Sequence, residues 1–318
     1  MLFRSPGGGG GGGLGRIAGP GYVIDGRGIL HTIGWQNGKD IQKPAPFLPG
    51  GARFSDPIVE NNIAYTSTSG NCGGAPNAVW AMDLSSDAKP VTSFKMNDTP
   101  IGAVSLTTDG RVVVSSASGF NILEPKGLAG RQGFTQAPTR FSSQPVIFQH
   151  GGKDVIGLAT TAGRVELFDA TEGAKSSSLA TSEPISGAKP DALATWQDAS
   201  GTRWLLVQAP SAIHALKVVE VGGHPSFQSG WVSRDIPNAS TPIIVNGVVF
   251  AVARGSRTAP AVLYALDGTT GKEIWNSGKT ITSFMPGRSF WSANSQVHVA
   301  TFDGSIFAFG FALERWNK

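Results

Sequence analysis

LYALDGTTGKEIW, Leu263 to Trp275, reads as a β-strand, a tight turn at Asp267-Gly268 and a second short strand ending in Trp275. Asp-Gly between two strand-sized runs favours a tight hairpin, because glycine accepts the positive φ that such a turn needs. Weaker copies recur along most of the chain. Aligned on the strand before the turn, they begin at Leu30 (LHTIGWQNGKDI), Val79 (VWAMDLSSDAK), Phe120 (FNILEPKG), Val165 (VELFDATEGAK), Ile213 (IHALKVVEVGG), Leu263 and Ile306 (IFAFGFA). These anchors lie roughly 41 to 50 residues apart.

A second strand precedes each anchor, ending in a small residue, Asp-Gly or proline: GYVIDG to Gly26, IAYTSTSG to Gly70, RVVVSSASG to Gly119, VIGLATTAG to Gly163, WLLVQAP to Pro210 and VHVATFDG to Gly304. Runs of Val, Ile, Leu and Phe bounded by Gly, Asp and Ser are strand-sized. A period near 45 residues with about four short strands per unit predicts an all-β fold, a β-propeller of four-stranded antiparallel blades. One blade cannot bury both of its faces, so the unit must be stacked around an axis. Ala81, Ala215, Ala265 and Ala308 occupy matching positions and would let neighbouring sheets approach. Trp275 is expected to lie flat against the Gly-rich turn of the adjacent blade, removing about 150–250 Å² from water. The copies at Phe120 and Ile213 keep the strand but lose the Gly-Lys-Trp part.

Composition agrees. Of 318 residues 40% are hydrophobic, 15% are charged and 43 are glycine, with no long 3.6-residue apolar period. The net charge of +4 is spread without a basic run, which predicts a solvated surface and no nucleic-acid partner. No run of about 18 apolar residues offers a transmembrane segment. The single cysteine, Cys72, excludes an internal disulfide, a CxxC metal knuckle and a CxxCH haem attachment. Within SGNCGGAPNAVW it is expected to be a structural, packed thiol.

The ends differ from the rest. Residues 1–15, MLFRSPGGGGGGGLG, form a Gly-rich leader that cannot pack a core and lacks the apolar stretch of a signal peptide. Met1 to Ser5 is also what the codons GTG CTC TTC CGA TCT encode, a string resembling the end of a common sequencing adapter. The reading frame is therefore expected to be truncated at its 5′ side. Residues 16–318 read as a single propeller domain. Its first unit starts near Gly21 without a first strand, and its last ends near Leu313 without an outermost one. Seven blades are visible, and an eighth is compatible with an N-terminal truncation.

The stretch Leu263–Trp275 matches the A-x-D-x-x-T-G-K-x-x-W docking motif of PQQ-like repeats at Ala265, Asp267, Thr270, Gly271, Lys272 and Trp275. TFDGSIFAFG, Thr301 to Gly310, is similar to the usual ending of such repeats, and Asp25 to Pro49 resembles a degenerate copy. The chain thus resembles the quinoprotein-type propeller family over about residues 16–313. The resemblance implies a bacterial protein exported to the periplasm or outside. The family includes PQQ- and calcium-dependent alcohol and sugar dehydrogenases. It also includes non-enzymatic propellers that scaffold other proteins, so the fold leaves function open.

The enzyme reading needs a hard-cation site of carboxylate and amide oxygens and an Asp base beside the quinone. The dehydrogenases further stack the quinone between a Trp and a vicinal Cys-Cys disulfide, and Cys72 has no second cysteine beside it. Asp25, Asp109, Asp267 and Asp303 each precede glycine and read as turn residues. His31, His150, His214, His224 and His298 show no metal-ligand spacing. His31, His214 and Trp80 share the repeat slot of Tyr264 and Phe307, which predicts packing. NCGGAPN, Asn71 to Asn77, leads into a strand and so lacks the helix N-terminus of a phosphate loop. No catalytic residue, metal ligand, cofactor site or cofactor is assigned. The favoured function is a non-catalytic, monomeric binding or scaffold module that takes a protein or small ligand at the rim or channel mouth. The alternative is a PQQ- and calcium-dependent dehydrogenase. The connections Gly70–Asn77, Gly127–Pro138, Ser176–Pro190 and Arg254–Pro260 are candidate contact loops.

Overall fold

The computed structural model describes residues 20–34, 37–131, 140–171, 177–185, 187, 190–287, 289–293 and 296–310. The Gly-rich leader, the boundary at residue 16, the end near Leu313, most of Gly127–Pro138 and parts of Ser176–Pro190 lie outside them. The strands form seven antiparallel sheets arranged as a ring, a seven-bladed propeller. The only helical element among the described residues is a 3₁₀ turn at Cys72–Gly74, and no helix among them is long and apolar enough to cross a membrane.

Six anchors fall on the third strand of their blade, and Leu30 falls on Ile29–Ile33, the second of the three strands described in blade one. In blade six the order from the axis outward is Ile243–Val245, Val248–Ala253, Val262–Asp267 and Glu273–Asn276. Blade five has the same order with a long outer hairpin, Ile213–Val221 to His224–Val232, closed by Gly222-Gly223. Both glycines have positive φ, as a two-residue primed turn requires. Among the described residues blades one and seven show three strands each. Gly21–Ile24 pairs only with Ile29–Ile33, and Ile306–Gly310 pairs only with Gln296–Ala300.

Six apolar clusters hold the ring, one at each joint from blades one and two to blades six and seven. In each, the anchor faces the following blade. Leu30 packs with Ala64 and Met82, and Leu263 packs with Val297 and Val299. Six anchors are buried, whereas Ile306 in blade seven is 64% exposed. Ala81, Ala215 and Ala265 are buried as close approach requires, and Ala308 is exposed. The face of blade seven that corresponds to a joint in the other blades is therefore uncovered among the described residues.

The docking tryptophan differs from expectation. Trp275 is 44% exposed and meets Phe309 of blade seven at 5.5 Å between ring centroids. The flat contact on a Gly-rich turn belongs to Trp231 of blade five. Its Nε1 donates to the Gly268 carbonyl at 2.9 Å, and its ring lies where a Cβ on Gly271 would stand, 2.4 Å from that position. Gly271 also has φ +69°, so glycine is required there twice over. The Ile213 copy has thus kept its tryptophan, displaced along a longer hairpin.

Candidate functional site

The inner strands enclose a central channel of about 1050 Å³, lined by residues of blades two to seven. Its wall is mostly apolar: Ile58, Val146, Leu193, Ile243 and Phe290 come from five different blades. One mouth is built by a short motif that repeat reading overlooked. Ser55-Asp56-Pro57, Ser143-Gln144-Pro145 and Ser240-Thr241-Pro242 precede the inner strands of blades two, four and six. The serine oxygens accept the backbone N–H groups of Ser67, Ala159 and Val252 on the neighbouring strand, at 3.1, 2.9 and 3.0 Å. Proline removes a ladder donor, the strand breaks there, and the middle residues Asp56, Gln144 and Thr241 line the channel. The signal, S-x-P at the start of alternate blades, was present in the sequence but is not part of the strand-and-turn period.

Arg254 follows the second strand of blade six and lines the same channel. Its backbone is pinned on both sides, N–H to the Asn238 carbonyl at 3.3 Å and carbonyl from the Met285 N–H at 2.8 Å. Its Nε is buried with no hydrogen-bond partner among the described residues. Trp196 also lines the channel, with a buried Nε1 in the same condition. Asp56 and Arg254 are the charged residues of the described lining.

The same rim carries two of the expected contact loops. Arg254–Pro260 folds as a miniature hairpin, with Ser256 and Ala259 exchanging backbone bonds of 2.8 and 3.1 Å and Arg257-Thr258 at its tip. Beside it Phe302 is 59% exposed, stacked on Phe284 at 4.8 Å and 20°, with the Arg257 guanidinium 5.7 Å from its ring centre. These residues border a hollow of about 420 Å³. Gly70–Asn77 is also ordered. Gly70 N–H donates to the Asn77 side chain at 2.8 Å, and Asn77 N–H to the Asn71 side chain at 3.1 Å. This turns Cys72 outward: the thiol is exposed and not packed, and it contacts the Gly70 carbonyl at 3.5 Å.

The turn carboxylates do turn work. The Ile29 N–H, followed by Arg27, holds Asp25 down at about 2, and the Ser85 hydroxyl and N–H do the same for Asp83. Asp267 is lowered by the hydroxyls of Thr269 and Thr270, and Asp303 by that of Thr301. Of the shared repeat slot, Trp80, Tyr264 and Phe307 pack on apolar clusters. His31 instead lies between Asp40 at 3.1 Å and Asp25 at 3.6 Å. Burial lowers the pKa of His214 and His298, and His298 stacks on Trp291 at 5.2 Å.

Among the described residues no three His, Cys, Asp or Glu side chains are grouped to hold a metal. The described channel wall offers one carboxylate, Asp56, and does not include Cys72.

Comparison with known proteins gives the fold. No family model and no curated protein matches the chain. Among solved structures, the β-propeller domain of Cps50 (Swd1) from Myceliophteria thermophila is 11% identical, with a TM-score of 0.59 over 91% of each chain. A candidate 6-phosphogluconolactonase from Bacteroides uniformis is 14% identical, with a TM-score of 0.57 over 89% of this chain and 87% of its own. BBS1N, solved in complex with ARL6DN, is 12% identical, with a TM-score of 0.55 over 84% of this chain and 79% of its own.

Proposed function

We propose that this propeller is a non-catalytic binding module that holds a protein partner on the rim formed by Arg254–Pro260 and Phe302. The observation that carries the reading is the exposed Phe302, backed by Phe284 and flanked by Arg257 beside a hollow. Aromatic and arginine side chains at a concave site dominate the energy of protein contacts. The hairpin at Ser256–Ala259 fixes Arg257 before binding, which lowers the entropy lost on association. Arg257 and the net charge of +4 favour an acidic, partly apolar segment as the bound element. A solved propeller neighbour, BBS1N, is seen with a protein partner, which supports the reading at the level of fold. Membership of the PQQ-like repeat family, bacterial origin and export to the periplasm or beyond belong to the same proposal and rest on the Leu263–Trp275 motif.

The test is quantitative capture from the cells that make the protein, comparing wild type with the Phe302→Ser, Arg257→Glu double variant. A partner enriched by wild type and reduced at least tenfold by the variant is expected. Equal recovery by both would overturn the rim as the binding surface.

A further inference from the structure

We propose that the central channel is a second binding site, for a small organic monoanion whose carboxylate pairs with Arg254 and whose apolar body lies against the inner strands. This goes beyond the rim reading and does not depend on it. Arg254 is fixed at the mouth by backbone bonds to Asn238 and Met285. Its Nε is buried without a partner, and its guanidinium makes no ion pair or side-chain hydrogen bond among the described residues. A buried N–H donor without an acceptor is costly, and here it belongs to a half-buried cation that pairs with no carboxylate among the described residues. Such a group on a cavity wall is a site for an anion. Among the described residues Arg203 also has a buried Nε without a partner, but it does not line the channel and its Nη2 donates to the Gln197 side chain at 3.3 Å, whereas Arg111 bonds the Ala170 carbonyl at 2.9 Å and Arg164 the Ser182 carbonyl at 2.7 Å.

The charge and the wall define the ligand. Arg254 is the sole cation in the described lining, and Asp56 is the acid there, with an interaction of its own. One cation matches one negative charge and leaves a polyanion uncompensated. The planar guanidinium presents paired donors that suit a carboxylate. Ile58, Val146, Leu193, Ile243, Phe290 and Trp196 would leave a bare inorganic ion among apolar groups, but suit an aliphatic or aromatic body. The channel volume of about 1050 Å³ is ample for such a ligand.

Calorimetric titration of the whole chain with benzoate, indole-3-acetate and octanoate, each paired with its neutral amide, and with inorganic phosphate, tests this. At least one carboxylate is expected to bind at least tenfold more tightly than its amide, equivalent to about 1.4 kcal/mol. Arg254→Gln is expected to remove that preference, and phosphate to bind more weakly than the carboxylate. Arg254→Met is expected to leave the thermal midpoint unchanged or raised, because it deletes a buried Nε–H that has no partner among the described residues. No binding by any carboxylate, equal binding of acid and amide, equal binding of phosphate, or retention of the preference in Arg254→Gln would each overturn the proposal. A marked fall in the midpoint of Arg254→Met would also overturn it, by showing that the guanidinium serves the fold.

Discussion

Trp275 fits the repeat motif and Trp231 lies outside its register, yet Trp231 is the residue that docks on a neighbouring blade. Trp231 is 8% exposed and bonds Gly268 across the joint between blades five and six. Trp231→Ala should therefore cost about 3–5 kcal/mol, and Trp275→Ala about 1 kcal/mol, in denaturant unfolding. Equal costs would contradict the assignment of the docking role. A second residue-scale device recurs beside the anchors. The hydroxyls of Ser182, Ser233 and Ser277 accept the N–H groups of Val165, Ile213 and Leu263, at 2.9, 2.9 and 3.0 Å. Ser277→Ala leaves the buried Leu263 N–H unsatisfied and is expected to lower stability by about 1–3 kcal/mol in the same measurement.

The strands and turns were the most legible elements, because period-two apolar runs and Asp-Gly turns are local. All seven anchors sit on strands, six of them on the third strand of the blade and Leu30 on the second of the three described in blade one. The carboxylate turns also have an expected pH dependence. Asp25 and Asp83 are held at about 2 in the fold against an ordinary 3.8, and Asp267 and Asp303 are lowered likewise. A depressed carboxyl pKa gives stability that is complete above about pH 4 and lost as pH falls towards 2. The thermal midpoint should stay level from pH 7 to about 5 and drop between about 4 and 2. A drop that Asp25→Asn and Asp83→Asn together leave unaltered would contradict the assignment. What the sequence hid was non-local. The S-x-P breaks act by pointing Asp56, Gln144 and Thr241 at an axis shared with other blades. Trp231 was missed because a longer hairpin shifts it out of the repeat register.

At the scale of the molecule, six joints are sealed by apolar clusters and the outward face of blade seven is uncovered among the described residues. The blade motif made the architecture readable. It could not reveal the rim site, since Arg257, Phe284 and Phe302 come together only when blades six and seven are placed side by side. If the propeller is a non-catalytic binding module, adding PQQ and Ca²⁺ gives neither dye-linked oxidation of alcohols or sugars nor a large thermal shift. Turnover would instead establish a quinoprotein enzyme. The most direct measurement of the binding role is site-specific photocrosslinking in the cells that make the protein. A photoreactive side chain would replace Phe302, with a control in place of Val221, which is also 64% exposed but lies on the outer hairpin of blade five. A discrete protein adduct from position 302 and none from position 221 is the expected result. No adduct at 302, or the same adducts from both positions, would contradict a protein partner on this rim.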